Sequence, residues 1–525
     1  MSLKRSLLKV VAGCLSGEHN KLVAATHNPR KEQERVLSKI IARNQNSSFG
    51  KAFQFGQINS ISDFQDKIPI TDYDFLFPWI EKEMRGEGRQ LTESKVESFV
   101  TTSGTTSVCK FIPITKEYIK AYKDGIGIWV ANAFREHPEI AGKVFTVASA
   151  RVEGYTEAGT PYGAVSGLMH DSQGFWGRIH LAVKDSRVFS IKDYKNKYYA
   201  LARVALAEDL THMQTANPLT MVNLCRMIED NSEKLIKDIY DGKISAEASV
   251  DVKQDKTRAR ELEKILSEGK FTPKEFWPNM ALVGCWTGGT QYLFLEQLKK
   301  KFGDVPFRDI GLLASEGRMT IPTRDNTSSG VLDITHSFFE FIPEQEMGQK
   351  KPAVLTAEQI QKGQNYFILL TTGSGLYRYN IFDMVECTGF MNKTPEVAFL
   401  NKGNYISNIS GEKLTEHQVV EAYRRARTEG MPDEFILYPK ADCERVRYVF
   451  LSAEETDNSF AEKMDLALQG ANSEYQSRRD GQKLSMLETR KITSNDFERI
   501  SKARLVPGKE AQFKHKYLRE LNLVQ

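Results

Sequence analysis

Amphipathic helical segments alternate with short runs of β-branched and aromatic residues through most of this chain. Asn28 and Pro29 form an N-cap and first-turn pair for one helix, and Thr115 caps a second one. Short apolar runs at 144–147 and 366–370 have the length and composition of buried strands. Such alternation is typical of α/β layers, so we predict one large α/β body over residues 1–400. The apolar faces of the two helices are Val36, Leu37, Ile40 and Ile41, and Tyr118, Ile119, Tyr122, Ile126, Trp129 and Val130.

Composition excludes several classes of protein. The 525 residues are 40% hydrophobic and 27% charged, which suits a globular chain of several domains. The net charge is only +4, from 72 basic and 68 acidic residues, so no nucleic-acid partner is predicted. The six cysteines form no CxxC pair and have no histidine at ligand spacing. We therefore expect reduced thiols, a cytoplasmic location and no structural zinc.

The first residues only superficially resemble a lipoprotein signal. Cys14 follows small residues, but Lys9 interrupts an apolar run that is already too short to span a bilayer. An amphipathic helix packed on the body is the favoured interpretation. No other run of about eighteen apolar residues occurs, so no membrane span is predicted. The apolar face of this helix would comprise Leu7, Leu8, Val10, Val11 and Leu15.

The pattern changes near residues 395–405. The segment KGNYISNISGEKL, residues 402–414, precedes a predicted helix at 414–428, a strand at 445–452 and a helix at 459–471. These elements predict a small α+β domain over residues 401–525. In the strand, Val446, Tyr448 and Phe450 alternate with Arg445, Arg447 and Val449. The alternation predicts that one face of this strand is buried.

A loop rich in small hydroxyl residues leads to a lysine in TTSGTTSVCKFIP, residues 101–113. Small side chains let backbone N–H groups approach an anion, and Lys110 could neutralise its charge. The segment lacks the GxxxxGK[ST] pattern, and Phe111 to Pro113 favour extended chain. We predict a turn between strands at 98–100 and 110–114, although a surface hairpin would have a similar composition. The candidate phosphate ligands are Thr102, Ser103, Gly104, Thr105, Thr106 and Lys110.

Three further clusters follow the loop in order: TGGT at 287–290, LASEG at 313–317 and GLYRYNIFD at 375–383. Together with the loop and the 402–414 segment they resemble the adenylate-forming superfamily, which includes acyl-CoA ligases and firefly luciferase. LASEG, FFEFIP at 338–343 and GLYRYNIFDMVECTGF at 375–390 are similar to the auxin-responsive acyl acid amido synthetases, the Gretchen Hagen family. The resemblance spans most of the chain. It implies a large N-terminal α/β adenylate-forming domain and a small mobile C-terminal domain.

The resemblance also implies a set of ATP contacts. Asp383 would accept the ribose hydroxyls and Glu316 would hold Mg²⁺. A turn aspartate and an exposed loop glutamate are the simpler alternatives. Gly288 and Gly289 would lie against adenine, or would only form a tight turn after a strand at 281–286. Ser315, Tyr379 and Lys402 are the other predicted contacts with the nucleotide. The predicted catalytic residues are Lys110 and Lys514, and Lys514 would reach the reacting carboxylate.

The segment RVEGYTEAGTPYGAVSGLM, residues 151–169, combines glycines with tyrosines and apolar residues. We predict that it forms part of the acyl pocket, while an ordered loop packed on the core would look similar. Phe338, Phe339 and Phe341 are expected in the core rather than at a substrate. The predicted substrate contacts are Tyr162, Gly163, Ser166 and Thr287.

The chain departs from the motifs at four positions. Ser107 stands where superfamily members often have glycine, and Cys109 where many have proline. Asn380 replaces the arginine usual in plant relatives, and Phe382 replaces a glycine before Asp383. Phe382 makes the turn at Asp383 bulkier. None of the four changes removes a charged group.

The predicted reaction has two steps. A carboxylate attacks the α-phosphate of Mg·ATP and pyrophosphate leaves, and then an amine, expected to be an amino acid, attacks the acyl-adenylate to give an amide and AMP. One alternative is an acyl-CoA ligase with a thiol acceptor. Another is a non-catalytic descendant that binds nucleotide or a partner protein. The identities of the acid and the amine and the oligomeric state do not follow from the sequence.

Overall fold

The computed structural model describes residues 17–102, 109–173, 175–247, 250–403, 406–407, 409–410, 412, 414–428, 430–441, 446–456, 458–502 and 515–519. The helices are α1 (17–25), α2 (Pro29–Asn44), α3 (Ser48–Ala52), α4 (Ile61–Lys67), α5 (Tyr73–Met84), α6 (Lys116–Glu136), α7 (Val165–Asp171), α8 (Phe175–His180), α9 (Tyr194–Ala207), α10 (Pro218–Asp230), α11 (Ser232–Asp241), α12 (Lys256–Ser267), α13 (Pro273–Phe276), α14 (Tyr292–Phe302), α15 (Glu416–Ala426), α16 (Asn458–Ala471), α17 (Ser473–Asp480) and α18 (Ser494–Lys502). The strands are β1 (Ser98–Thr102), β2 (Lys110–Ile114), β3 (Lys143–Thr146), β4 (Gly154–Tyr155), β5 (Pro161–Gly163), β6 (Leu210–Gln214), β7 (Leu282–Gly284), β8 (Phe307–Arg308), β9 (Leu313–Ala314), β10 (Gly317–Arg318), β11 (Thr320–Ile321), β12 (Ser329–Leu332), β13 (Phe338–Pro343), β14 (Leu355–Thr356), β15 (Asn365–Thr371), β16 (Tyr379–Met391), β17 (Thr394–Lys402), β18 (Ile406–Ser407), β19 (Leu414–Thr415), β20 (Ile436–Ala441), β21 (Val446–Ser452) and β22 (Glu488–Lys491).

Side-chain caps begin the helices α2 and α6, as predicted. The Asn28 side chain accepts a hydrogen bond from the Lys31 amide at 3.2 Å, and Thr115 Oγ1 accepts one from the Tyr118 amide at 3.4 Å. The predicted apolar face of α2 is buried, as are Tyr118, Tyr122 and Trp129 of α6. The capping residues therefore predict correctly where α2 and α6 begin.

Three sheets of four or more strands form most of the described N-terminal α/β body, and β9 and β10 pair as a separate two-stranded sheet. A parallel sheet has the order β3-β6-β7-β8, and a seven-stranded sheet has the order β11-β12-β17-β16-β15-β13-β14. Helices α9, α10 and α14 contribute to the core of the parallel sheet, and α2 and α6 to that of the larger sheet. The strands predicted at 144–147 and 366–370 correspond to β3 and β15. The three phenylalanines at 338–341 are buried in the core, as expected.

The predicted hairpin around the hydroxyl-rich loop is present. Strands β1 and β2 pair antiparallel, and Thr102 lies opposite Lys110. They belong to the third sheet, whose order is β2-β1-β5-β4. Residues 103–108 between them lie outside the described residues, as do residues 1–16 with the predicted N-terminal helix. In the described part of the chain, no helix has the length and apolarity needed to cross a membrane.

The C-terminal elements follow the predicted order of helix, strand and helix, as α15, β21 and α16. The prediction that β21 buries only one face is wrong. Tyr448 and Phe450 pack toward α15 and α16, whereas Val449 packs on the other side with Phe497 of α18. Arg447 is also buried and pairs with Glu488 of β22 at 2.6 Å. Because β21 is the central strand of β20-β21-β22, helices cover both of its faces.

A half-buried histidine ties α6 to the segment between β12 and β13. His336 Nδ1 lies 2.9 Å from Asp333 Oδ1, and its Nε2 lies 3.1 Å from Asp124 Oδ2. Lys120 also pairs with Asp124. Burial alone would lower the pKa of His336, but the two carboxylates outweigh it and raise the pKa to about 10.

This raised pKa makes stability depend on pH. Because the folded-state pKa lies above the ordinary 6.5, the protonated ring stabilises the fold fully below pH 6.5, and that stabilisation is lost as pH rises toward 10. His336→Gln should lower the free energy of unfolding by about 2–4 kcal/mol at pH 6, and by much less at pH 9.5. Urea unfolding of both proteins at the two pH values measures this. The exposed His27→Gln is the control, and an equal deficit for His336→Gln at both pH values would contradict the prediction.

Candidate active site

An ion pair joins two neighbouring strands of the large sheet. Asp383 of β16 lies opposite Lys402 of β17, with Lys402 Nζ 2.9 Å from Asp383 Oδ1. Lys402 Nζ also donates to the Ile381 carbonyl at 3.1 Å. The sequence placed Asp383 in a turn after a strand, and that detail is wrong because Asp383 is buried within β16. The two predicted ribose contacts are nevertheless adjacent.

A bulge in β16 explains why the strand continues past the predicted turn. Phe367 of β15 pairs with Met384 and Leu369 pairs with Asn380, so the register shifts between them. Phe382 lies in this bulge with φ +59°, and its amide donates to Asn380 Oδ1 at 2.8 Å. Asn380 and Phe382, two of the four departures from the motifs, thus act together. The bulge lets the chain remain in the sheet while Asp383 meets Lys402.

Glu316 lies in a two-residue connection between β9 and β10. Ala314 pairs with Gly317, so Ser315 and Glu316 form the turn, and the Tyr118 hydroxyl donates to the Ser315 carbonyl at 2.9 Å. Glu316 is buried. Burial raises its pKa and so does the charge of Asp383, while Lys402 and Lys110 lower it. Four of the predicted charged residues, Lys110, Glu316, Asp383 and Lys402, therefore share one site.

Two aromatic residues line this charged site. Lys110 Nζ lies 5.3 Å from the ring centroid of Tyr73, whose hydroxyl accepts from the Phe111 amide at 2.9 Å. Tyr379 is buried at the start of β16. Burial, and then the charge of Glu316, raise the pKa of Tyr379, so its hydroxyl stays neutral. Tyr379 and Lys110 are thus close to the other predicted nucleotide contacts.

The predicted adenine loop follows β7 and lies against the end of β17. A Cβ atom at Gly288 would lie 3.2 Å from the Phe399 carbonyl oxygen, and one at Gly289 would lie 3.2 Å from the Leu400 oxygen. Gly289 has φ +63°, a conformation that glycine adopts without strain. The two glycines therefore bring the loop close to the strand that ends at Lys402.

A buried carboxylate that the sequence analysis missed organises this loop. Asp309 Oδ2 accepts from the Thr287 amide at 2.6 Å and from Thr287 Oγ1 at 2.8 Å, and Oδ1 accepts from the Gly311 amide at 2.6 Å. Burial raises the pKa of Asp309 to about 6, although these hydrogen bonds oppose it. The Thr287 hydroxyl, predicted to contact the acid, is bonded to this carboxylate. An aspartate directly after β8, at the carboxyl edge of the parallel sheet, was the available signal.

The predicted acyl segment lies beside β1 and α6. Tyr162 of β5 makes an edge-on contact with Phe111, with ring centroids 5.1 Å apart, and β5 pairs with β1. A Cβ at Gly163 would lie 2.1 Å from the Arg151 carbonyl oxygen, so only glycine fits. Ser166 Oγ accepts from the Ser149 amide at 3.1 Å. Contact of Tyr162, Gly163 and Ser166 with the acid remains a prediction.

Several predicted site residues lie outside the described residues. They are the Thr102 side chain, Ser103, Gly104, Thr105, Thr106 and Lys514.

The architecture is that of adenylate-forming enzymes. AtGH3.15 acyl acid amido synthetase, solved in complex with 2,4-DB, superposes with a TM-score of 0.85 at 18% identity, covering 97% of this chain and 94% of that one. A 2-hydroxyisobutyryl-CoA ligase in the postadenylation state superposes with a TM-score of 0.53 at 10% identity, covering 97% and 89%. The predicted fold, a large N-terminal domain followed by a C-terminal domain, is therefore confirmed.

Sequence comparison defines the family. Profiles of the GH3 family N-terminal, central and C-terminal domains match residues 18–307, 330–402 and 416–520. The chain belongs to the GH3 family, as its motifs predicted. Indole-3-acetic acid-amido synthetase GH3.4 of Arabidopsis thaliana is 22% identical over 90% of this chain and 86% of its own length. Jasmonoyl-L-amino acid synthetase GH3.5 of Oryza sativa subsp. japonica is 23% identical over 92% and 90%.

The positive φ of Phe382 can be tested by substitution. Phe382→Gly and Phe382→Ala both remove the ring, but only alanine keeps a Cβ that disfavours the left-handed conformation. We expect Phe382→Gly to be more stable than Phe382→Ala by about 1 kcal/mol in urea unfolding. Phe390, exposed near the end of the same strand and without a positive φ, provides the matched pair, for which alanine should be the more stable. If the glycine and alanine variants rank in the same order of stability at both positions, the backbone of Phe382 is not strained.

Asp309 organises the loop that is predicted to contact adenine, so its substitution should weaken ATP binding. Asp309→Asn keeps the size of the side chain but turns an N–H group toward backbone donors, which should cost about 1–3 kcal/mol. The KM for ATP should then rise by about 5- to 150-fold. Thr287→Val removes only one of the bonds and should raise the KM less. An unchanged KM for ATP in Asp309→Asn, with the variant folded by circular dichroism, would refute the role.

Proposed function

We propose that this protein is an ATP-dependent acyl acid amido synthetase. It adenylates a carboxylic acid, releases pyrophosphate, and transfers the acyl group to an amine, an amino acid by analogy with the relatives, releasing AMP. The convergence of Lys110, Glu316, Asp383 and Lys402 on one site in a GH3-family chain carries this proposal. These are the charges that a nucleoside triphosphate and its counter-ion require.

The nucleoside would bind between the end of β17 and the loop after β7. Asp383 would accept the ribose hydroxyls as charge-assisted hydrogen bonds, each contributing about 1.5–3 kcal/mol. Lys402 Nζ lies 2.9 Å from that carboxylate and fixes its position at the end of β16. Gly288 and Gly289, which leave the backbone uncovered by side chains, would lie against the adenine face.

The triphosphate would extend toward Lys110 and the 102–106 loop, where amides and hydroxyls would donate to its oxygens. Mg²⁺ fits at Glu316, since a single buried carboxylate with a raised pKa gains from a cation and since Mg²⁺ takes one or two protein carboxylates. When bound there, the ion would neutralise charge on the phosphates. Ser315 would contact the nucleotide from the same turn.

In the first step, a carboxylate oxygen forms a bond to the α-phosphorus and the bond from that phosphorus to the β-phosphate bridging oxygen breaks. Lys110 stabilises charge on the leaving pyrophosphate, and Lys514 stabilises the reacting oxygens. In the second step, the amine nitrogen attacks the acyl carbon, AMP leaves, and the amine loses a proton. Fixed charges in a buried site act strongly on both transition states.

The C-terminal domain would begin near residue 401 and change orientation between the two steps. The GH3 C-terminal profile starts at residue 416, and β17 ends at Lys402. Contacts between the domains include Arg427 with Glu296 at 3.3 Å and Gln297 Nε2 with Asp433 at 2.8 Å. Such polar surface contacts stabilise one orientation only weakly, which supports rotation.

The proposed setting is the cytoplasm. Cys225, Cys285 and Cys387 are free thiols in the described part of the chain. Reduced thiols are typical of reducing compartments.

Adenylation is tested by ATP–pyrophosphate exchange with pooled carboxylic acids and Mg²⁺. The wild type should show acid-dependent exchange that Asp383→Ala and Lys110→Ala lose, and Lys514→Ala should be about 10²–10³ slower. Exposed Asp66→Ala and Lys116→Ala are controls for the same substitutions. Nucleotide binding without exchange for any acid would instead favour a non-catalytic binding protein.

The acceptor is tested by AMP release from the same mixtures. Amino acids should stimulate AMP release and yield an amide detectable by mass spectrometry. Stimulation by CoA alone, with formation of a thioester, would contradict the amide-forming step and favour a CoA ligase.

A further inference from the structure

Arg318 is a buried cation that has no anionic partner at contact distance among the described residues. It lies on β10, two residues after Glu316, and is 6% exposed. Its Nη1 donates to the Ile310 carbonyl at 2.9 Å and to the Thr320 carbonyl at 3.3 Å, while its buried Nε has no partner. No carboxylate of the described residues lies within the 4.0 Å that defines a salt bridge to it.

Two other buried arginines pair with carboxylates, whereas Arg203 resembles Arg318 in donating only to backbone carbonyls, those of Lys243 and Lys253. Arg308 pairs with Asp325 at 2.6 Å, and Arg378 pairs with Glu340 at 3.1 Å. An unpaired guanidinium in the interior costs several kcal/mol of desolvation, because little replaces its hydration. Burial lowers the pKa of Arg318, yet an arginine remains protonated near neutral pH. The site therefore contains a positive charge that the protein itself does not neutralise at contact distance.

The side chain of Arg318 has a defined place against α6. A Cβ at Gly125 would lie 2.3 Å from Arg318 Cδ, so the glycine leaves the space that the side chain occupies. The guanidinium carbon lies 5.7 Å from the ring centroid of Tyr122. Tyr122 belongs to what we term the tyrosine cluster, a group of buried residues comprising Val100, Ile114, Tyr118, Tyr122, Leu168 and Met169.

The tyrosine cluster borders the adenylation site. Val100 is on β1, which leads into the phosphate loop, and Leu313, which packs on the cluster, immediately precedes the Ala314–Gly317 hairpin turn. Tyr118 donates its hydroxyl to Ser315 in that turn. Leu168 and Met169 come from the predicted acyl segment. An acid whose reacting carboxylate is at the α-phosphate would extend its chain away from the nucleotide. That chain would contact the apolar residues of the tyrosine cluster first and Arg318 next.

We propose that the acid used by this enzyme carries a second anionic group, and that Arg318 binds this group behind the tyrosine cluster. The inference rests on the proposed function, since it specifies the acid of the same site. A guanidinium matches a carboxylate through two parallel N–H···O bonds, and Nε supplies a donor that has no partner. The apolar residues of the cluster would hold the hydrocarbon between the two acid groups. The substrate class is thus a dicarboxylic acid with an aliphatic or aromatic spacer.

The test compares matched pairs of acids in ATP–pyrophosphate exchange, adipate against hexanoate and isophthalate against benzoate. The wild type should prefer the diacid of at least one pair in kcat/KM. Arg318→Met keeps the length of the side chain and removes its charge, so it should lower kcat/KM for that diacid by about 10- to 150-fold and leave the monoacid unaffected or improved. The control Arg324→Met removes an exposed arginine that pairs with Glu396, and should leave the ratio unchanged.

Thermal stabilisation by each acid gives a second readout that does not require turnover. Adipate or isophthalate should raise the Tm of the wild type more than its monoacid partner does, and Arg318→Met should lose the difference. Arg318→Lys, which keeps the charge, should retain part of it if Arg318→Met fails to fold. Diacid-specific stabilisation without exchange would uphold the anion site while refuting adenylation. A wild type that prefers the monoacid in both assays, or an unchanged ratio in Arg318→Met, would overturn the inference.

Discussion

The antiparallel pairing of β16 with β17 determines where the rest of the site can form. These strands are the longest in the described chain, and their pairing runs from Met391 and Thr394 at the hairpin to Asp383 and Lys402 at the other end. Every hydrogen bond between the two strands helps to fix their register, and this register places the Asp383 carboxylate beside the Lys402 ammonium. The glycine loop after β7 packs against the same end of β17. The turn after β9 contributes Glu316 to the same site, and the β1–β2 hairpin contributes Lys110.

Burial strengthens the interactions of these charged side chains, because little water screens them. Two carboxylates and two lysines occupy a site in which Glu316 and Asp383 are largely removed from water. Isolated buried charges would be unstable, but the opposite charges offset one another, and Asp383 with Lys402 forms a direct pair. The proposed nucleotide site would therefore be pre-organised for a polyanion with its cation, because little reorganisation would be needed when the ligand arrives. Arg318 lacks such a direct pair, because no carboxylate of the described residues lies within salt-bridge distance of it, and Asp333 and Asp309 act on it only from further away.

Features governed by neighbouring residues in the chain were predictable from the sequence. The caps at Asn28 and Thr115, the β1–β2 hairpin and the order of the motifs all depend on local chemistry. Features governed by tertiary contacts were not. The location of Asp383 within a strand depends on a bulge, and the burial of both faces of β21 depends on a helix that comes later in the chain. Asp309 bonds to Thr287, a residue 22 positions away, so its position after β8 marks a candidate residue but does not identify its partner.

Helix α14 connects the glycine loop after β7 with the C-terminal domain. The short helical turn at Gly289–Gln291 leads directly into α14, and Gln297, in the middle of α14, holds Asp433 of the C-terminal domain. An α-helix rises 1.5 Å per residue and resists compression, so the six residue steps from Gln291 to Gln297 keep these points about 9 Å apart on nearly rigid backbone. The two ends cannot shift independently. Substitutions on the outer face of α14 would therefore alter how the loop predicted to contact adenine is coupled to the position of the C-terminal domain.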